Sequence, residues 1–213
     1  MRSAIILLLL CPASARPEII DRVVASAGSQ VVTESAVYRQ AQMAALLNGE
    51  TTRLDAASRR RIAEQLVDQA LVRRVIDQSR FEPVSRQETE QQVAHIQQTL
   101  GLDDDALRAR LAQLGLTSDE LFQEAQWQLT LFRFIDFRFR PGVQVSDQEV
   151  SVYYDGEYAG MMSRAGKPRP PLDEVRDDII SLLTERKIQG SMDQWLEQLR
   201  QQVRVRYREE AFK

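Results

Sequence analysis

The side chains able to do acid–base, nucleophilic or metal chemistry are few in this chain. His95 is the single histidine and lies in a polar stretch, so a multi-histidine zinc site or a His-bearing triad has one candidate residue at most. Cys11 is the single cysteine. No G-x-S-x-G, P-loop or G-x-G-x-x-G pattern occurs, and Gly28, Gly142 and Gly166 each stand alone. Asp103-Asp104-Asp105 could touch a cation, yet the run lacks the alternation and closing glutamate of an EF-hand loop. It reads instead as acidic bias at a helix N-terminus, where the dipole favours negative charge. The expectation is a non-enzymatic protein without cofactor or metal.

What the sequence offers in place of chemistry is apolar surface. In a predicted helix over residues 117–139, Leu121, Ala125, Leu129, Phe132 and Ile135 share one face, while Trp127, Leu131 and Phe134 share another. Phe137 and Phe139 extend past both. A helix apolar on two sides is either sandwiched in a core or exposes one face to a partner, and the sequence leaves both readings open. On the second reading Trp127, Leu131, Phe134 and Phe137, with Tyr153 and Tyr154, line a crevice for extended polypeptides, helped by the adaptable Met161-Met162 pair. The Trp127 face is also the candidate surface for a homodimer.

The elements that must position these residues are mostly helices. Val23-Val24-Ala25-Ser26 and Gln30-Val31-Val32 read as a β-hairpin turning at Gly28-Ser29. Helical periodicity follows from Glu34 to a stop at Asn48-Gly49, and again over residues 55–81, where Ile62, Leu66, Val67, Ala70, Leu71, Val75 and Ile76 form one stripe. Ser85-Arg86-Gln87-Glu88, Thr117-Ser118-Asp119-Glu120 and Ser146-Asp147-Gln148-Glu149 each fit the capping box that opens a helix. A short helix over residues 106–113 lies between Gly101 and Gly115. Beyond Tyr158 the period fails, and residues 160–171, with Gly160, Gly166, Pro168, Pro170 and Pro171, read as a linker. A long helix over residues 173–200 buries Val175, Ile179, Leu182, Leu183, Ile188, Met192, Trp195, Leu196 and Leu199, with Gly190 as its weak point. Val203, Val205 and Tyr207 then alternate with arginines as a half-buried strand. A lone strand needs a partner, so residues 203–207 are predicted to join the N-terminal hairpin in one small antiparallel sheet.

The first residues read as a secretory signal covering residues 1–15. Arg2 is followed by two Ile and four Leu at positions 5–10, then by the small-residue pattern Ala13-Ser14-Ala15. Export to the bacterial periplasm is the expectation, in preference to a retained anchor, for which the run is too short, or to lipidation at Cys11, which follows Leu10 instead of a small residue. Cleavage after Ala15 removes Arg2 and Cys11, taking the formal charge from -3 to -4 and leaving no thiol for disulfides. A mildly acidic chain is a poor nucleic-acid binder, and Arg59-Arg60-Arg61 reads as a solvated helix face. With 43% hydrophobic and 28% charged residues, no integral membrane span is expected in the mature chain.

The order of these features resembles SurA-type periplasmic chaperones. Ile20-Asp21-Arg22-Val23-Val24 followed by Gln30-Val31-Val32-Thr33-Glu34-Ser35 is similar to that family's opening hairpin and first helix. The similarity continues through Gln65-Leu66-Val67-Asp68-Gln69-Ala70-Leu71, Val145-Ser146-Asp147-Gln148-Glu149-Val150, Leu172-Asp173-Glu174-Val175-Arg176, Glu185-Arg186-Lys187 and Trp195-Leu196. It implies a mainly α, multi-helix SurA/trigger-factor-like peptide-binding domain, made of residues 16–159 and completed by residues 172–213. In the family, parvulin prolyl isomerase domains of about a hundred residues stand where this chain has only the stretch from Asp155 to Leu172. The resemblance therefore implies a holdase for unfolded clients, outer-membrane protein precursors above all, without isomerase activity. The alternative is a dedicated interaction subunit docking one envelope partner.

Overall fold

A computed structural model describes residues 21–49 and 54–213. The predicted signal segment at residues 1–15, with Cys11, lies outside the described residues. The fold is mainly helical with a small three-stranded antiparallel sheet. Strands β1 (Val23–Ala27) and β2 (Gln30–Thr33) form the hairpin, and β3 (Val205–Tyr207) joins on the far side of β1, giving the order β2-β1-β3. Gly28 makes the turn possible: its φ of 60° suits the first position of a type II′ turn, and an added Cβ would meet Val203 Cγ1 at 3.4 Å. Ala25 stands opposite both Val32 and Tyr207, so the last strand closes onto the first as expected.

Helix α1 (Glu34–Asn48) starts where the Thr33 hydroxyl accepts the Ala36 amide, and ends at Gly49 in the left-handed conformation. Helix α2 (Ala56–Gln78) is capped by Asp55. Capping boxes open α3 (Arg86–Leu100) at Ser85 and α5 (Ser118–Phe139) at Thr117, with α4 (Asp104–Gln113) between them. The third box, at Ser146, opens α6 (Asp147–Tyr153). Here the fold departs from the expected linker. A π-helical turn (Tyr154–Tyr158) leads without a break into α7 (Ala159–Arg164), so only residues 165–171 separate it from α8 (Leu172–Gln202). Gly156 and Gly160 lie within this helical run despite a propensity cost of about 1 kcal/mol each.

Four buried clusters hold these elements. The sheet packs one face on Ala63, Val67 and Leu71 of α2, sealed by Ala211 and Phe212 after β3. Met43 and Leu46 of α1, Leu107 and Leu111 of α4, and Leu121 and Ala125 of α5 form a second cluster. Val72 and Ile76 meet Trp127, Phe134 and Trp195 in a third. The fourth, around Val150, Tyr153 and Ile179, joins α6 to the first half of α8. Two expectations need correction. Leu182 points outward on α8, 39% exposed. Arg59 and Arg60 are not merely solvated: Arg60 bonds Glu64 and Glu209 and lies 4.0 Å over the Tyr207 ring, while Arg59 donates to the Lys213 carbonyl, so both fasten the C-terminal segment. Among the described residues, no helix is long and apolar enough to cross a membrane.

Candidate functional site

The residues expected to line one crevice divide between two buried clusters. Trp127 and Phe134 are 5% and 3% exposed, and with half-buried Leu131 they pack against α2 and Trp195. The sequence left open whether this face was core or crevice; it is core, because α8 lies across it. Tyr153 is buried against Val150 and Ile179. Tyr154 stacks on Tyr158 and donates its hydroxyl hydrogen bond to the Pro170 carbonyl at 2.7 Å, tying down residues 165–171. Ile179 and Trp195 are sixteen positions apart on α8, about 24 Å at 1.5 Å per residue, so the two sets of rings do not meet in one groove. Phe137 alone of the six is strongly exposed, at 69%, with its ring 5.7 Å from Phe81. His95 is exposed.

Tyr153 borders a concavity of about 490 Å³ with Val152 and Leu183; a groove lined by none of the six lies elsewhere. A concavity of about 380 Å³ opens between β2, α1, α2 and the start of α5. Its apolar lining includes Met43 and Leu116, both buried, with Leu66 and Ala70 half-buried. Val31, 59% exposed, and Val32 form the strand side. A second concavity of about 500 Å³ shares Ala70 and Arg73 with the first and continues past Gln30 and Ser29. Together the two border Gln30, Val31 and Val32 of β2. In a two-residue hairpin the pair closing the turn, Ala27 and Gln30, exchanges both backbone bonds, and the next pair, Ser26 and Val31, exchanges none. The Val31 N–H and C=O therefore face outward from an edge strand that has no strand partner among the described residues.

The rim is polar and mixed in charge. Arg39 reaches Glu120 across the groove at 3.7 Å, and the same glutamate accepts the Thr117 amide and hydroxyl that start α5. Arg39 also donates to the Ser35 hydroxyl at 3.1 Å, and Ser35 donates in turn to Asp21. The Ser35 hydrogen bond, with help from Thr33, holds the Asp21 carboxyl below its usual pKa. Arg73 lies 4.0 Å over the Trp127 ring with its outer side in solvent. Desolvation lowers its pKa against the opposing pull of Glu124 and Asp77. Gln40, Gln69 and Gln123 complete the rim with neutral donors and acceptors. Such a site can bury apolar side chains, pair with an extended backbone and meet charges of either sign.

Sequence reasoning missed this groove because its lining comes from four elements distant in sequence, each contributing two to four residues, with Leu116 from the loop before α5. The legible clue was Val31, an apolar residue on the side of the hairpin opposite the core-facing Val32. Among the described residues no cluster of three or more His, Cys, Asp or Glu side chains is placed to hold a metal ion. Compared with known proteins, the chain matches no family model and no curated protein.

Proposed function

We propose that this chain is a SurA-type holdase that binds unfolded or extended polypeptides, outer-membrane protein precursors among them, in the bacterial periplasm. The observation that carries the reading is the groove along β2: an open strand edge beside an apolar lining with a polar rim. Backbone groups on the edge recognise any extended chain, and the Met43–Leu66–Leu116 lining rewards apolar side chains without demanding one shape. The seven-residue span 165–171 supports the absence of a parvulin domain at the position where the resembling family carries one.

The test is suppression of light scattering by a chemically unfolded client. Val31→Glu places a charge on the apolar wall, and Gln123→Trp fills the groove from the rim; both should abolish suppression while the circular dichroism spectrum stays unchanged. Unaltered suppression in both variants would remove the groove from the proposal. The second reading, a subunit docking a single partner, is favoured by Phe132 and Phe137, each 69% exposed. Capture of one tight partner that is lost in Phe137→Ala, with no holding of unfolded chains, would decide for it.

A further inference from the structure

Two carboxylates of α5 line the groove, Glu120 and Glu124, one helical turn apart. Glu124 is opposed by Arg73, which lines the same groove and feels its charge. Glu120 is placed differently. Its Oε2 accepts the Thr117 amide at 2.8 Å and the Thr117 hydroxyl at 2.9 Å, so the capping box fixes the carboxylate in position. Its Oε1 has Arg39 Nη1 at 3.7 Å, beyond hydrogen-bond length, and is held there by charge alone. Arg39 is the movable partner. Its side chain is 55% exposed, and its Nη2 donates to Ser35 Oγ at 3.1 Å. Ser35 is bonded in turn to Asp21, whose carboxyl also feels the Arg39 charge. Arg39 therefore stands between two carboxylates and can leave Glu120 without losing an anionic neighbour.

We propose that the groove selects extended segments in which lysine or arginine stands beside apolar residues, the client's cation displacing Arg39 from Glu120. The inference rests on the groove being the client site. A client cation that approaches Oε1 to about 2.8 Å makes a charge-assisted hydrogen bond where Arg39 has only a contact at 3.7 Å. Arg39 then keeps Ser35 and the charge of Asp21. Apolar neighbours of that cation enter the lining formed by Met43, Leu66 and Leu116. An acidic client residue gains little from Arg39, whose charge Glu120 and Asp21 already oppose, and it meets Glu120 and Glu124 as like charges on the α5 wall. Arg39 is thus a resident cation for which the right client substitutes.

Fluorescein-labelled peptides Gly-Ser-Leu-Thr-Leu-X-X-Leu-Thr-Leu-Ser-Gly, with X as lysine, glutamine or glutamate, test this by anisotropy at low salt. Successive side chains of a strand point to opposite faces, so one X of the pair reaches the α5 wall in either register. The lysine peptide should bind about fivefold more tightly than the glutamine peptide, and the glutamate peptide more weakly than both. Glu120→Gln retains a residue able to close the capping box and should erase the lysine advantage. Arg39→Ala removes the competing cation and should strengthen lysine-peptide binding by about two- to fivefold. Equal binding of the three peptides, preference for glutamate, a lysine advantage that survives Glu120→Gln, or weaker lysine-peptide binding in Arg39→Ala would overturn the proposal. The two readings fail separately. Reduced and carboxymethylated lactalbumin that is bound by the unaltered protein and lost in Val31→Glu, with the three peptides bound alike, keeps the client groove and ends the charge selection. A lysine advantage that depends on Glu120, with lactalbumin bound by no variant, keeps the cation site and ends the holdase reading.

Discussion

Trp195 is the residue on which the middle of the molecule depends. Phe134 lies 5.8 Å from its ring, Phe139 5.7 Å, and Arg138 4.9 Å above it, so one side chain from α8 closes over the face of α5 that looked free in the sequence. Trp195→Ala should therefore lower the unfolding free energy by about 3–5 kcal/mol. Phe137→Ala, at an exposed ring of the same helix, should change it by about 0.5 kcal/mol or less. Chemical denaturation of the two variants separates core from surface, and equal losses would contradict the packing described. Two exposed carboxylates contribute to acid sensitivity. Arg133 and then Ser85 hold Glu88 at a pKa of about 2, and Lys187 and then Ser146 hold Glu149 at about 2. Both lie below the ordinary value of 4.5, so their contribution is complete above that pH and is lost as pH falls towards 2. Denaturation midpoints should fall across this window, and Glu88→Gln with Glu149→Gln should flatten the fall. Helical periodicity told which rings share a face of α5; it could not tell that a helix more than fifty residues later covers it.

At the scale of elements, the boundaries written in local chemistry were legible and those set by distant packing were not. Each capping box needs only four consecutive residues, and all three occur where the sequence placed them. Thr117→Ala removes the hydroxyl that accepts the Glu120 amide at 3.2 Å and should cost about 1 kcal/mol. Residues 160–171 read as linker because Gly160, Gly166, Pro168, Pro170 and Pro171 interrupt the apolar period, yet Ala159–Arg164 is helical. The helical turns just before it are tied to α8 by Arg186 to Glu157 at 2.8 Å and Lys187 to Glu149 at 2.6 Å, contacts between distant residues that a local period does not show. Gly190, by contrast, sits in the middle of α8 with nothing within 4 Å of an added Cβ and no positive φ. Gly190→Ala should stabilise the protein by about 0.4–1 kcal/mol, through a less disordered unfolded chain and better helix propensity. A thermal melt showing a lower midpoint would mean that α8 needs its glycine for a bend or a close approach.

Taken as a whole, the molecule is a body and an arm joined by α8, which at 31 residues is about 46 Å long. The body contains the sheet and the first three clusters. The arm is the pair formed by α6 to α7 and the first half of α8, and every residue of its cluster comes from between Val145 and Leu183. Its interior has only three fully buried side chains, Val150, Tyr153 and Ile179, and its helices are otherwise clasped by exposed ion pairs such as Arg176 with Asp147 and Arg186 with Glu157. Exposed pairs of this kind contribute at most about 1 kcal/mol each and weaken with salt. The arm should therefore open below the free energy of global unfolding. In native-state hydrogen exchange, amides of Asp147–Tyr153 and Ala159–Arg164 should exchange before those of α2 and before the last three turns of α8, and raising salt to about 0.5 M should widen the gap. Body and arm exchanging together at one free energy would show a single cooperative unit instead. Because the groove is built from β2, α1, α2 and α5, all within the body, opening of the arm should leave client affinity unchanged, and substitutions such as Ile179→Ala should loosen the arm without releasing a bound chain.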